Sequence, residues 1–386
     1  MKYFLTLIQL WVGFLSICAS YPKANIWIIP SVESPQVYRN YAQTSKVHLE
    51  MARGEVEHIQ LVFPSKVNEE YRFTFDRYLK GIQISARELK KMNGYYDALV
   101  PFKNQLKCTD TLTAVWITVQ CPSRVPVGKY HQTIKIEGSK HFTIQLDYNV
   151  HHTTIPLKSS IPITVGVENR CMTECLNDKE ADKERQRWVD FVLSYRMTPV
   201  FGTQITPERW QYEHSFSPWA WNDKRSIRLL NDRRYSCYML PFFTLSENEL
   251  ASLLCNIQKK GKLKESLFYI WDEPAYMEDY EQIKRKVNII RKYASDARIL
   301  TTFFCGPRNG PRKGDLYAVF DYLKHHIHVA TISLAPCKGN EEEVQHIRYK
   351  VPEGIDWWSY VCWQPGGNEP NFLLQMKGIQ DRKSTR

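Results

Sequence analysis

Between residues 267 and 274 the chain reads Leu-Phe-Tyr-Ile-Trp-Asp-Glu-Pro, an unbroken apolar and aromatic run that ends in two adjacent carboxylates and a proline. A run without alternation is what a strand covered on both faces carries, and such strands belong to parallel sheets flanked by helices. Pro274 has no N–H to offer a neighbouring strand, so pairing stops there. Asp272 and Glu273 are thereby placed at the carboxyl end of a buried strand. In α/β barrels that end is where catalytic side chains gather. A solvated acidic turn is the plainer reading of the same pair, and the surrounding sequence has to decide between the two.

From residue 156 onward, short apolar runs alternate with amphipathic stretches, the mark of β-α units around a parallel sheet. Strands are expected at Ile163 to Val167, Thr198 to Gly202, Cys237 to Phe243, Leu267 to Asp272, Ile299 to Phe304, Val329 to Ser333 and Trp357 to Trp363. Ser246 and Glu249 form a capping box ahead of Leu250, Leu253, Leu254 and Ile257. After the acidic pair, Tyr276, Tyr280, Ile283, Val287 and Ile290 line one helix face. Trp188 and Tyr280 are read as core on the same pattern. Seven β-α units in this order predict a (β/α)8 TIM-type barrel over residues 156–386 that lacks its last strand, because only a Pro/Gly/Asn loop and a short helical stretch, Phe372 to Asp381, follow Trp363. The expectation is thus an incomplete barrel or a truncated chain.

Residues 21–155 carry a different pattern. Ile59, Leu61 and Phe63 alternate with His58, Gln60 and Val62, and Val115, Ile117 and Val119 with Trp116, Thr118 and Gln120. Further strands are expected at Tyr130 to Glu137 and His141 to Val150, turning about Gly138-Ser139-Lys140. Regularly spaced short strands predict a β-sandwich accessory domain, with the boundary near His151 to Pro156. The first 20 residues, with Met1-Lys2, the apolar run Phe4 to Ile17 and the small Ala19-Ser20, read as a signal peptide and predict export to a periplasmic or secreted location. A lipid anchor at Cys18 is the minor alternative, since Ile17 is bulky where a small residue is wanted.

The formal charge of +11, from 52 basic against 41 acidic residues, is scattered, without a basic run or nucleic-acid motif. No nucleic-acid partner is expected. No membrane span is expected after the leader either. The 11 Trp and 22 Tyr suit stacking on sugar rings and equally suit large cores. Ten cysteines include one close pair, Cys171 and Cys175, and form no compact framework. His325-His326-Ile327-His328 reads as a solvated helix end, so neither a metal nor a cofactor is expected.

Several segments in order, Arg53-Gly54-Glu55 leading to Gln60-Leu61-Val62, Tyr195-Arg196-Met197-Thr198-Pro199, Tyr269 with Asp272-Glu273-Pro274, and Trp357-Trp358-Ser359-Tyr360-Val361-Cys362 followed by Pro370-Asn371, together resemble glycoside hydrolase family 123. The resemblance runs over nearly the whole mature chain. It implies an exo-acting β-N-acetylgalactosaminidase with an N-terminal β-sandwich and a catalytic barrel, in which Glu273 is the general acid/base and Asp272 orients the 2-acetamido group. The missing last strand departs from the family pattern.

The chemistry accommodates neighbouring acids. Two carboxylates adjacent in sequence cannot straddle a sugar ring as a nucleophile and an acid do, whereas a substrate-assisted reaction needs both on one side. The acetamide oxygen then attacks the anomeric carbon to give an oxazolinium-type intermediate. This role requires Glu273 to rest protonated, which burial beside Trp271 and repulsion from Asp272 favour. Trp358 and Tyr360 share one strand face and are the candidate sugar wall, with core packing as the alternative. Asn169 and Arg170, after the first barrel strand, are further candidates, and Trp271 completes the substrate-binding set. The expected partner is a glycan bearing a terminal N-acetylhexosamine. A non-catalytic carbohydrate-binding relic of such an enzyme, or a hydrolase for a different 2-acetamido sugar, fits the same residues.

Overall fold

The computed structural model describes residues 25–76, 81–92, 94–168, 175–206, 209–212, 224–241, 246–333, 346 and 348–360. The chain divides into two compact units between Ile155 and Pro156.

The first unit holds β1 (Trp27–Pro30), β2 (Lys46–Arg53), β3 (Val56–Pro64), β4 (Glu70–Phe75), β5 (Gln83–Met92), β6 (Tyr95–Pro101), β7 (Gln105–Lys107), β8 (Leu112–Gln120), β9 (Gly128–Glu137) and β10 (His141–Thr154). They form two five-stranded sheets, ordered β1-β3-β8-β5-β6 and β2-β10-β9-β4-β7. Alternate residues of both sheets, among them Leu61, Phe63, Ile117 and Val119 from one and Tyr71, Phe73, Ile134 and Leu146 from the other, meet in a single core. The alternation along β3 implies a half-buried strand with its second face open to solvent. Instead Val62 is fully buried, because Ile29, Tyr38, Leu89 and Ala114 pack over that side. Gln60, buried with it, hydrogen-bonds through its amide nitrogen to the carbonyls of Pro30, Ser31 and Glu33.

The second unit contains β11 (Thr164–Glu168), β12 (Thr198–Thr206), β13 (Arg209–Tyr212), β14 (Tyr238–Pro241), β15 (Ser266–Trp271), β16 (Arg298–Phe303), β17 (Val329–Ser333) and β18 (Asp356–Tyr360). Its helices are α1 (Asp178–Ser194), α2 (Lys224–Asn231), α3 (Glu247–Lys259), α4 (Met277–Tyr293) and α5 (Leu316–Leu323). Strands stand at all seven expected positions. β14 to β18 are a parallel sheet in chain order, while β11, β12 and β13 form a separate three-stranded sheet. Among the described residues the strands form no closed barrel. The antiparallel β13 pairs with β12 over Gly202 to Thr206, and among the described residues no pairing joins β12 to β14.

The helices follow their sequence stripes. Ser246 and Glu249 make a reciprocal capping box on α3, and Leu250, Leu253, Leu254 and Ile257 are buried. On α4, Tyr280, Ile283, Val287 and Ile290 are each fully buried. Tyr276 is not part of that stripe; it is the N-cap and 45% exposed, with Arg308 over its ring. Trp188 likewise departs from its expected core position, standing 40% exposed in a file with Phe191 and Tyr195 along α1. The histidine cluster is less solvated than expected. Ile327 is buried, and His328 is tied to Ile299 through both its backbone N–H and its ring Nδ1.

None of the six described cysteines, at 108, 121, 175, 237, 255 and 305, is in a disulfide. Among the described residues no helix is long and apolar enough to cross a membrane.

Leu254→Ala should destabilise the second unit by about 2–5 kcal/mol, because the fully buried side chain leaves a cavity, whereas Tyr349→Ala, at an 84% exposed position, should stay within about 0.5 kcal/mol. Denaturant unfolding of both variants checks the contrast.

Candidate active site

The two faces of the parallel sheet differ in character. Phe268, Ile270, Ile299, Phe303, Ala330 and Ile332 face the helices and join the main core. On the other face, Cys237, Leu267, Tyr269, Leu300 and Val329 form a smaller apolar cluster against which Met239 and Trp358 pack. Moving toward the carboxyl ends, that second face turns polar. Thr302 stands opposite Thr331, Thr331 opposite Trp358, and Ser333 opposite Tyr360. In open α/β sheets ligands bind beyond these strand ends.

β15 delivers the acids to this layer through an irregularity. Tyr269 pairs with Leu300, yet Trp271 pairs with Thr301, so β15 holds one residue more than β16 over this step. A bulge of this kind redirects the side chains that follow it. Trp271 consequently packs against the helix-side core with Lys286 over its ring at 5.1 Å, which sets it behind the sheet and away from Tyr269. Asp272 and Glu273 follow at the tip.

Asp272 Oδ1 accepts hydrogen bonds from Tyr269 Oη at 2.5 Å and from Thr302 Oγ1 at 3.0 Å. The two hydroxyls also lie 2.9 Å from each other, a hydrogen bond in which either oxygen can donate, so the three oxygens form one connected cluster. Glu273 has φ +44°, a left-handed conformation that costs a residue with a Cβ roughly 1–2 kcal/mol. Its backbone N–H donates to Thr302 Oγ1 at 2.9 Å, which offsets part of that cost. Pro274, next in line, is buried, and its carbonyl accepts from Tyr280 Oη at 3.0 Å.

The Glu273 side chain is accessible to solvent, but its carboxyl receives the hydroxyl proton of Tyr360. Partial burial raises the Glu273 pKa above the ordinary carboxylate range, repulsion from Asp272 raises it further, and the Tyr360 hydrogen bond opposes both. The direction is that of an acid that keeps its proton. Burial and the bond to Glu273 push the Tyr360 phenol well above its usual range, against the opposing hydrogen bond of Ser333, so that it stays a donor.

The sheet therefore brings together Asp272, Glu273 and Tyr360, with Trp358 two residues earlier on the same strand face as Tyr360. Asn169 and Arg170 lie outside the described residues. In the sequence Tyr269 stands out only as part of a motif, and Thr302 does not stand out at all. An isolated pair of threonines in an apolar strand is the sole signal for Thr302, and it is indistinguishable from ordinary β-branched strand filling. Among the described residues no group of three or more His, Cys, Asp or Glu side chains is arranged to hold a metal ion.

The fold, two five-stranded sheets in one unit and a parallel sheet with acids at a strand tip in the other, is similar to that of a glycoside hydrolase. A family 123 glycoside hydrolase from Clostridium perfringens, described for glycolipid glycan hydrolysis, superposes with a TM-score of 0.57 over 90% of this chain and 74% of its own, at 12% identity. An FMN-binding β-glucuronidase from Facaelibacterium prausnitzii and a family 2 glycosyl hydrolase from Bacteroides cellulosilyticus also align, with TM-scores of 0.33 and 0.28 at 9% and 10% identity, over 93% and 81% of this chain and 53% and 44% of theirs. Those two scores are too low to carry an argument. No family model and no curated protein matches the sequence.

The raised Glu273 pKa has a consequence for stability. Between the unfolded pKa, about 4.3, and the higher folded one, the native state binds more protons than the unfolded chain, so stability falls as pH rises through this window. Glu273→Gln removes that dependence. The variant should gain stability relative to the parent between pH 4 and neutrality, as thermal melts at a series of pH values would show.

Proposed function

We propose that this chain is an exo-acting glycoside hydrolase that removes terminal β-linked N-acetylgalactosamine from glycans by a retaining, substrate-assisted mechanism. The observation that carries the reading is the unequal pair at the tip of β15: Asp272 bound by two hydroxyl donors, and Glu273 with its pKa raised. The likeness of fold to the Clostridium perfringens family 123 enzyme supports it.

In this mechanism the acetamide oxygen of the sugar attacks the anomeric carbon and no side chain supplies a nucleophile. Both hydroxyl bonds to Asp272 fall on Oδ1, and the reading assigns Oδ2 to the acetamide N–H, where it holds the amide in line and stabilises the positive charge that develops on it. Glu273 gives its proton to the departing glycosidic oxygen. It then takes a proton from the water that opens the oxazolinium ring, restoring the acetamide and leaving the β-anomer. Tyr360 and Trp358 are assigned to the sugar-facing wall, Asn169 is kept as a substrate-binding candidate outside the described residues, and Trp271 supports the tip from behind. The second unit is proposed as a (β/α)8-type catalytic domain and the first as its β-sandwich accessory, in a protein exported to a periplasmic or secreted site.

Glu273→Gln should lower kcat on N-acetyl-β-galactosaminides with unactivated leaving groups by about 10²–10⁴-fold, the usual share of general acid–base catalysis. Steady-state hydrolysis assays on purified protein test this. Unchanged turnover would remove Glu273 from the role, and a preference for another 2-acetamido sugar would keep the mechanism but change the substrate.

A further inference from the structure

Thr302 performs two tasks with one hydroxyl. Its proton goes to Asp272 Oδ1 at 3.0 Å, and its lone pair receives the backbone N–H of Glu273 at 2.9 Å. It lies on β16, the strand next to the one that ends in the acids, and is only 8% exposed. A β-branched side chain has little freedom about χ1, so the position of this oxygen is fixed by the strand. Its neighbour is engaged differently. Thr331, opposite Thr302 on the same face, has its Oγ1 buried without a partner among the described residues, so a bonded threonine hydroxyl is not a general property of this layer.

We infer that Thr302 is a positioning residue that sets both acids at once, an inference that rests on the reading of Asp272 and Glu273 as a substrate-assisted pair. With Tyr269 and Thr302 on the same oxygen, rotating the Asp272 carboxylate breaks two hydrogen bonds, so Oδ2 keeps a single direction. The bond from Glu273 N–H holds φ at +44° and so presents the Glu273 carboxyl to Tyr360 on β18. Losing the hydroxyl frees both, and Glu273 relaxes toward negative φ, where its carboxyl leaves Tyr360. Thr302 touches no substrate in this scheme. It acts through the two groups that do.

Thr302→Val keeps the shape and removes the hydroxyl; Thr302→Ser keeps the hydroxyl. On an aryl N-acetyl-β-galactosaminide, the valine variant should lose about 10²-fold in kcat with KM changed by no more than about threefold, and serine should recover most of the loss. In an Asp272→Asn background, Thr302→Val should cost much less, since its main partner is already disabled. Turnover by the valine variant near that of the parent, or equal loss in both variants, would overturn the inference. Should the parent hydrolyse no 2-acetamido glycoside, the functional reading fails and the clamp is decided by hydrogen exchange. Exchange of the Glu273 amide about tenfold faster in Thr302→Val but not in Thr302→Ser supports it, and equal exchange in all three proteins overturns it.

Discussion

The extra residue that β15 carries against β16 governs where everything at the strand end points. Up to Tyr269 the pairing is regular, and beyond it Trp271 is opposite Thr301. Because a shift of one position exchanges the faces of a strand, Trp271 goes to the helices and Asp272 comes level with Thr302. The aromatic run that precedes the acids then serves two purposes. Phe268 and Ile270 anchor the strand in the helix-side core, while Tyr269 reaches across to fix Asp272. A left-handed Glu273 and a buried Pro274 end the strand, and Tyr280 from α4 closes the turn through the Pro274 carbonyl.

The sheet face that bears the site is layered. Its lower part is apolar, with Leu267, Leu300 and Val329 in contact, and gives the strands a reason to pair in register. Its upper part is made of hydroxyls, Tyr269, Thr302, Ser333 and Tyr360, which can orient carboxyls without bringing a competing charge. That choice matters for the acids. No cation is among the described hydrogen-bond partners of Glu273, and an adjacent arginine or lysine would pull its pKa down, where the hydroxyl of Tyr360 opposes the effects of burial and Asp272 without cancelling them.

Much of this was legible in the sequence, and the limits have physical causes. The seven parallel strands and the stripes on α3 and α4 follow from hydrophobic period alone, and the acidic pair announces itself by ending an apolar run. The bulge is silent because Ile270 and Trp271 fit a regular strand as well as an irregular one. Thr302 is silent because its function depends on a partner 30 positions away. Trp188 misleads because an aromatic at helical spacing says nothing about whether another layer covers it. β13 is short and carries no apolar period of its own, so its antiparallel pairing with β12 could not be read ahead of the structure.

The central claim is that neighbouring acids on one side of the sugar suffice because the substrate's own amide is the nucleophile. The most direct measurement is the rate of hydrolysis across aryl 2-acylamido-2-deoxy-β-galactosides whose acyl group carries zero to three fluorines. Each fluorine weakens the amide oxygen as a nucleophile while leaving the glycosidic bond almost unchanged. The account expects kcat/KM to fall steeply and steadily along the series. A flat series would mean that the protein supplies the nucleophile and would contradict it.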